Sequence, residues 1–394
     1  MDGELVAFLT GDAGAAEIRD LIDQNVEQQD ALSVVSALRR RYDRSTAAAI
    51  YETAMLRVRA AAKFEDPSSM LFEREALEQA TPQPIARRRA ETMSRVQPRL
   101  IVDLGCGIGG DAIELTRVCD VVGVDTDAAR LRLARHNTRV AGGGFRFDPV
   151  QADSLGLAPI RCDVAFADPA RRMSGRRIRG LDAYLPPVSS LLERWRPLAD
   201  SIVIKVAPGI TDNEIPNGAS VEWISLDGDL REATVVVGDL RSTAAKTATV
   251  LPAGASISGP EPNDVPVAPI GGWLFEPDDA VIRAGLVRVL ASEIGAAMID
   301  PDIAYLTADH PIEHPMLASY PVDDVMPFNL KQLRRRLAEL QVGVVTIKKR
   351  GSPVIPEQLR PRLRLSGDRS ATILLTRIDG APTVAIGLDR PLTS

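Results

Sequence analysis

This chain is short of the residues that carry redox or metal chemistry, with three cysteines and three histidines in 394 residues. Cys106, Cys119 and Cys162 are too few, and odd in number, for a disulfide framework, so a reducing compartment is expected. His310 and His314 are spaced like helical metal ligands. Pro311 and Pro315 break the helix which that spacing needs, and no metal is expected. Aromatics make up 4% of the chain, so Leu, Val and Ile must fill its cores. No apolar run approaches membrane-spanning length. The start, with Asp2 and Glu4, lacks a basic-then-apolar secretion pattern. No membrane partner and a cytoplasmic location are therefore expected. Neither sign of charge dominates: 47 Lys/Arg against 53 Asp/Glu leave −6, which alone argues neither for nor against nucleic acid.

What is present fits a globular chain long enough for two or three domains, 45% hydrophobic and 25% charged. Residues 1–98 read as helical. Ile18, Leu21, Ile22 and Val26, then Leu32, Val35 and Leu38, recur at helical spacing, Ile50 to Lys63 continues the pattern, and Glu73–Gln79 and Pro84–Met93 follow. Residues 99–245 alternate strand and helix signals. They end in a possible antiparallel hairpin, Val221–Leu226 and Glu232–Val237. Residues 246–320 read as a Pro/Gly/Ser-rich connector or short strands, then a helix over Pro277–Met298. Residues 321–394 read as a small α+β unit: a basic amphipathic helix over Leu330–Leu337, a strand running into Lys348-Lys349-Arg350, and two strands around Asp379-Gly380. Thirteen Lys/Arg against seven Asp/Glu give this last stretch +6.

The most informative segment is Asp103-Leu104-Gly105-Cys106-Gly107-Ile108-Gly109-Gly110, after the apolar run Leu100-Ile101-Val102. A second apolar run, Val121–Val124, ends on Asp125, twenty residues after Gly105. A strand ending in an acid, a glycine turn, a helix and another strand ending in an acid make a nucleotide-binding half of a doubly wound α/β sheet. Gly105-x-Gly107-x-x-Gly110 also satisfies the dinucleotide fingerprint. Asp103 tips the choice, because a carboxylate there repels a pyrophosphate and attracts an ammonium. Asp125, with Thr126 beside it, is placed to take ribose hydroxyls. Asp163–Pro169 reads as the fourth strand and its end, and Ser201–Val206 as the fifth.

On these motifs the chain resembles the class I S-adenosylmethionine-dependent methyltransferases, whose first motif is an acid followed by Gly-x-Gly-x-Gly. The resemblance implies a seven-stranded Rossmann-like core with S-adenosyl-L-methionine as cofactor. It places Asp103 at the amino group, Gly105, Gly107 and Gly109 at close backbone approach, and Asp125 and Thr126 at the ribose. Asp153 and Ser154 fall at the adenine; a solvated turn is the plain alternative for Asp153. The order of helical leader, Leu77–Pro82, core, Glu276-Pro277 and Ile347–Gly351 resembles bacterial methyltransferases ending in a THUMP-like domain, which implies structured RNA (a tRNA or rRNA base) as partner. The core also resembles trimethylguanosine synthases, whose Thr-Pro helix start matches Thr81-Pro82 and puts Thr81 at the cofactor.

Asp168-Pro169-Ala170-Arg171 is the expected catalytic corner, with Asp168, Pro169 and Arg171 as its working residues. Amino-group methyltransferases carry a polar residue, Pro-Pro and an aromatic there, so Ala170 and Arg171 depart from that pattern. Arginine stacks on a base or holds a phosphate, and Tyr184 is a candidate for the missing ring. Arg171, Arg172, Arg176, Arg177 and Arg179 cluster beyond the corner, where basic residues suit a polyanion. Lys331, Arg334, Lys348, Lys349 and Arg350 form the second candidate RNA contact; a solvated face is the plain alternative. The departure leaves open a small-molecule or protein acceptor, or a non-catalytic RNA-binding module that keeps the cofactor.

Overall fold

A computed structural model describes residues 3–26, 30–171 and 180–389, without the side chains of Arg171 and Asp182. The chain divides into two compact units, Met1–Val221 with Glu232–Thr243, and Glu222–Arg231 with Ala244–Ser394.

The first unit opens with helices α1 (Gly3–Thr10), α2 (Asp12–Asp23), α3 (Ala31–Leu38), α4 (Arg44–Ala60), α5 (Arg74–Gln79) and α6 (Gln83–Ser94). Asp43 starts α4 by accepting the Ser45 and Thr46 N–H groups at 2.8 and 3.1 Å. At the end of α5 the Lys63 ammonium donates to the carbonyls of Leu77, Glu78 and Ala80 at 2.9, 2.6 and 2.8 Å, which the helix leaves open. Pro82 and Pro84 frame the start of α6, where a missing N–H costs nothing.

The sheet follows with β1 (Leu100–Leu104), α7 (Ala112–Leu115), β2 (Asp120–Asp125), α8 (Ala128–Ala141), β3 (Phe147–Gln151) and β4 (Cys162–Ala167). A two-residue ladder, β5 (Ala170–Arg171) with β6 (Tyr184–Leu185), leads to α9 (Val188–Trp195) and β7 (Ala199–Val206). With the hairpin β8 (Ser220–Leu226) and β9 (Asp229–Gly238), seven of the sheet's nine described strands run in the order β8-β9-β7-β4-β1-β2-β3. The strands from β3 to β7 are parallel and β9 is antiparallel to β7, which is the doubly wound arrangement expected. Helix α9 shows why the crossovers pack: Val188, Leu191, Leu192 and Trp195 form one buried stripe. Strand order reverses between β1 and β4, the crevice where doubly wound sheets bind ligands.

The helical leader is part of this core. Leu9, Ile18, Ile50, Met70 and Leu71 pack in one cluster with Ile108, Ile113 and Leu133. Asn137 on α8, 0% exposed, fastens the join: its amide donates to the Leu71 and Ile108 carbonyls and accepts the Leu71 N–H, all at 2.9 Å.

The second unit holds β10 (Lys246–Leu251), β11 (Ala255–Ser258), β12 (Trp273–Pro277), α10 (Asp279–Ala284), α11 (Val287–Ile294), β13 (Ala297–Asp300), β14 (Ile303–Ala308) and β15 (Leu317–Pro321). After them come β16 (Asp324–Pro327), α12 (Leu330–Glu339), β17 (Val342–Lys349), α13 (Pro356–Leu363), β18 (Arg369–Ile378) and β19 (Ala381–Leu388). Its sheets run β13-β14-β12-β15 and β16-β19-β18-β17. Leu333 and Leu337 of α12 bury against Ile373, Leu375, Val384 and Ile386, forming the small α+β core. The helix expected over Pro277–Met298 is two short ones. Gly285 and Gly295 take left-handed φ of 72° and 69° and end α10 and α11, and Met298 lies in β13.

Replacing Asn137 with Ala strands three buried backbone groups, so we expect a loss of about 3 kcal/mol in urea denaturation with an unchanged m-value. A loss under about 1 kcal/mol would show that the amide does not hold the leader.

Candidate active site

Strand β1 delivers Asp103 into the crevice 1% exposed, and its Oδ2 has no hydrogen-bond partner among the described residues. Burial, then the charge of Asp168, pushes this carboxyl up to about 7, against the opposing pull of Arg89 and Lys205. The folded chain therefore keeps a proton there that the unfolded chain has shed. The stability from this group is full below about pH 4 and is lost as pH rises through about 7.

The glycine loop turns directly after Asp103, with the Gly105 and Cys106 N–H groups both donating to the Val124 carbonyl at 2.8 and 3.0 Å. Its glycines do different jobs. A Cβ on Gly107, at φ 54°, would meet nothing within 4 Å, so the backbone there faces open space. A Cβ on Gly109, at φ 85°, would lie 3.1 Å from Ala134 Cα, so Gly109 serves the packing of loop on helix α8 more directly than approach by a ligand.

Asp125, at the end of β2, accepts the Gly107 N–H on Oδ2 at 3.0 Å and the Asp127 N–H on Oδ1 at 2.8 Å. These bonds fix the carboxylate across the loop mouth and leave each oxygen a lone pair. Thr126 is exposed, and its carbonyl accepts Gln151 Nε2 at 3.1 Å. Asp153 lies two residues beyond β3, exposed, and its Oδ1 caps a turn by accepting Leu155 N–H at 2.8 Å and Gly156 N–H at 3.3 Å. The carbonyl of Ser154 accepts Trp195 Nε1 at 3.2 Å.

At the end of β4 the structure adds residues that the motif reading missed. Ala167 and Ile204 are register partners on β4 and β7, so Asp168 and Lys205 emerge side by side. Lys205 Nζ lies 2.7 Å from Asp168 Oδ2, donates to Thr81 Oγ1 at 3.1 Å, and is 3.9 Å from Glu232 Oε2. The Thr81 hydroxyl in turn donates a hydrogen bond to Asp111 Oδ2 at 2.8 Å. Arg89 of α6, 3% exposed, pairs with both Asp111 and Glu232 and lies over the Phe166 ring at 4.6 Å. Thr81 is thus hydrogen-bonded on both sides of its hydroxyl. The one signal in the sequence was a lysine inside an otherwise apolar strand, Ile202-Val203-Ile204-Lys205-Val206.

Pro169 is buried and follows Asp168 into the short β5. Of Arg171 only the backbone is described, and Arg172, Arg176, Arg177 and Arg179 lie outside the described residues. Tyr184 does not supply a stacking ring: it is 5% exposed and its hydroxyl accepts the Ala207 N–H at 2.6 Å.

In the second unit Lys331 and Lys349 are exposed. Lys348 and Arg350 share the carboxylate of Glu276, each at 3.3 Å, and Arg334 donates to the Arg362 carbonyl. Arg336, with its partner Asp324 at 2.6 Å, is likewise tied down. That basic cluster is therefore partly neutralised within its own unit.

All three cysteines are buried. Burial pushes the Cys119 and Cys162 thiols up to about 12 and Cys106 well above its ordinary value, so none is primed as a nucleophile. His314 accepts the Met316 N–H on Nδ1 at 3.2 Å, and no group of three metal-ligating side chains occurs among the described residues. No helix among them is long and apolar enough to cross a membrane.

Residues 101–174 match a family described as a methyltransferase domain, residues 317–388 one described as THUMP domain-like, and residues 2–60 a domain of unknown function. Two uncharacterised S-adenosylmethionine-dependent methyltransferases of Mycobacterium tuberculosis (strains CDC 1551 and H37Rv) are each 38% identical over 341 residues, 84% of this chain and 92% of theirs. The chain belongs to the S-adenosylmethionine-dependent methyltransferases. A solved structure from Porphyromonas gingivalis W83, described as a methyltransferase, has the same fold, with a TM-score of 0.74 at 18% identity over 93% of this chain and 99% of that one. Over 77 residues, 19% of the chain and 32% of the relative, the methyltransferase is 32% identical to the trimethylguanosine synthase of Schizosaccharomyces pombe. S-adenosylmethionine is its cofactor. The residues present suit that group: a buried carboxylate lacking a donor stands beside loop backbone with open space over Gly107.

Removing Arg89 tests the network. Arg89→Met leaves Asp111 buried without a cation and Glu232 with only Lys205, 3.9 Å away, so we expect a loss of about 3–5 kcal/mol in urea denaturation. A methionine variant as stable as the parent would show that this cation is dispensable.

Proposed function

We propose that this methyltransferase acts on structured RNA, with Asp103 and Asp125 holding the cofactor. One observation carries the acceptor: a THUMP-like region, 317–388, shares the chain with the methyltransferase core. Such regions are associated with RNA-modifying enzymes. The local likeness to a trimethylguanosine synthase and the exposed Lys331 and Lys349 support the same reading.

When bound, the cofactor supplies an already activated methyl group, so the chain need only bind, orient and exclude water. Asp103 offers its unpaired oxygen to the cofactor's ammonium, in a buried site where the attraction is far stronger than in water. Asp125, aimed by the Gly107 and Asp127 N–H groups, turns its remaining lone pairs to the ribose hydroxyls. Asp153 and Ser154, at the end of β3, stand beside the adenine. Asp168, at the sheet's rim, faces the acceptor, and the arginines after it meet the RNA backbone.

Only ionised Asp103 attracts the ammonium. Because its carboxyl sits at about 7, affinity for the cofactor should weaken about tenfold between pH 7 and pH 5.5, where the cofactor's amino group stays protonated. Calorimetry should show Asp103→Asn weaker at pH 7 and nearly flat across that window. An asparagine variant that keeps full affinity would remove Asp103 from the site.

For the acceptor, labelled cofactor should transfer methyl to RNA from cells lacking the enzyme. RNA affinity should fall steeply with salt, and Lys331→Ala or Lys349→Ala should each lower the salt slope by about one. An absence of label in every RNA pool, with transfer to a small molecule or protein instead, would overturn the RNA reading.

A further inference from the structure

We propose that the methyl acceptor is a hydroxyl oxygen, and that Lys205 and Asp168 together form its catalytic pair. The inference rests on the RNA reading above, within which the acceptor becomes a ribose hydroxyl and not a base nitrogen.

Lys205 interrupts the apolar run of β7 close to its end. Lys205 is flanked on β7 by Ile202, Val203, Ile204 and Val206, all buried. Glu232, its deeper neighbour, shares Arg89 with Asp111 and lies 3.9 Å from Lys205 Nζ. The shortest contact of Lys205 is outward, 2.7 Å to Asp168 Oδ2, beside the bond to Thr81 Oγ1 at 3.1 Å. The side chains of Lys205 and Asp168 are 18% and 32% exposed, against 4% for Glu232 and 2% for Arg89. The inner pair is sealed; the outer pair, at the ends of β4 and β7, is open to an incoming group.

A cation at that position discriminates between acceptors. A nitrogen acceptor gains positive charge as the methyl arrives, and an ammonium beside it opposes that change. A hydroxyl gains negative charge on oxygen as its proton leaves, and the same ammonium stabilises it. The pair also supplies both functions that a hydroxyl needs. Lys205 Nζ donates to the acceptor oxygen, and the Asp168 oxygen not engaged by Lys205 accepts the hydroxyl proton. The acceptor oxygen forms its bond to the methyl carbon while the sulfur–carbon bond breaks and its electron pair stays on sulfur. The proton moves from oxygen to Asp168 and then to water, so charge and atoms balance without a further reactant. Ala170 and Arg171, which depart from the amine-methylating pattern, fit an acceptor that is not an amine.

The test is the position of the methyl group. RNA from cells lacking the enzyme is methylated in vitro with labelled cofactor, digested to nucleosides and analysed by mass spectrometry. An alkaline digest is run in parallel, because a methylated ribose hydroxyl blocks strand cleavage at that site. Label on the sugar with alkali-resistant dinucleotides is expected. Label on a base overturns the hydroxyl inference while the RNA reading stands; no label in any RNA overturns the RNA reading and this inference with it. For the pair, Lys205→Met should lower kcat about a hundredfold while calorimetric affinity for S-adenosylmethionine stays within about twofold of the parent. Lys205→Arg, which keeps the charge, should fold as the parent and recover part of the rate. If Lys205→Met loses cofactor affinity and melting temperature but not kcat, or if Lys205→Arg is as slow as Lys205→Met, Lys205 is not catalytic.

Discussion

The first unit depends on a chain of buried charges running from Asp111 through Arg89 and Glu232 to Lys205 and Asp168. Charges removed from water are tolerated only when each finds a partner, so the elements that carry them have little freedom to separate. Arg89 comes from the leader helix α6, Glu232 from β9, Lys205 from β7 and Asp168 from the end of β4. Helix α6 is thereby fixed against the back of the site, and Thr81 at its start closes the chain by bonding both Asp111 and Lys205. The leader is a wall of the site and not an appendage.

Beside this paired network stand carboxylates without a cation of their own. Asp103 and Asp125 line the same crevice as Asp168, and Asp103 feels the repulsion of both on top of its burial. Such an arrangement costs stability while empty and returns it to a cationic ligand, a trade often found where binding needs a prepared electrostatic field. The loop backbone contributes by staying out of the way: Gly107 leaves space, and Gly109 lets the loop press on α8. The two sets of charge are complementary. The paired set positions elements rigidly, and the unpaired set supplies a field with a gap for one positive group.

The glycine loop and the acids at strand ends were readable because their signal is local: a short apolar run, a turn residue with special φ, and an acid at fixed distance. The alternation of such runs pointed to a doubly wound sheet, and the seven strands were implied by the family resemblance. Elsewhere a local pattern misled. Ile282, Leu286, Val289 and Leu290 have helical spacing across Gly285, but the left-handed glycine stops the helix there, and Gly295 stops its successor. Tyr184 looked available for stacking, yet its ring is buried and its hydroxyl engaged. The basic run at Lys348–Arg350 looked like open positive charge, and Glu276 takes up two of its members.

By itself the sequence determined the class of cofactor and the sheet that holds it, since Asp103, the glycines and Asp125 lie within a few turns of chain and need no distant partner to be recognised. Only the tertiary structure decided which charges work together. Arg89 and Glu232 are 143 residues apart, and Lys205 and Thr81 are 124 apart. No periodicity or spacing rule reaches across such intervals; strand register and helix packing bring those groups within a few ångströms, and Coulomb's law then fixes which of them pair.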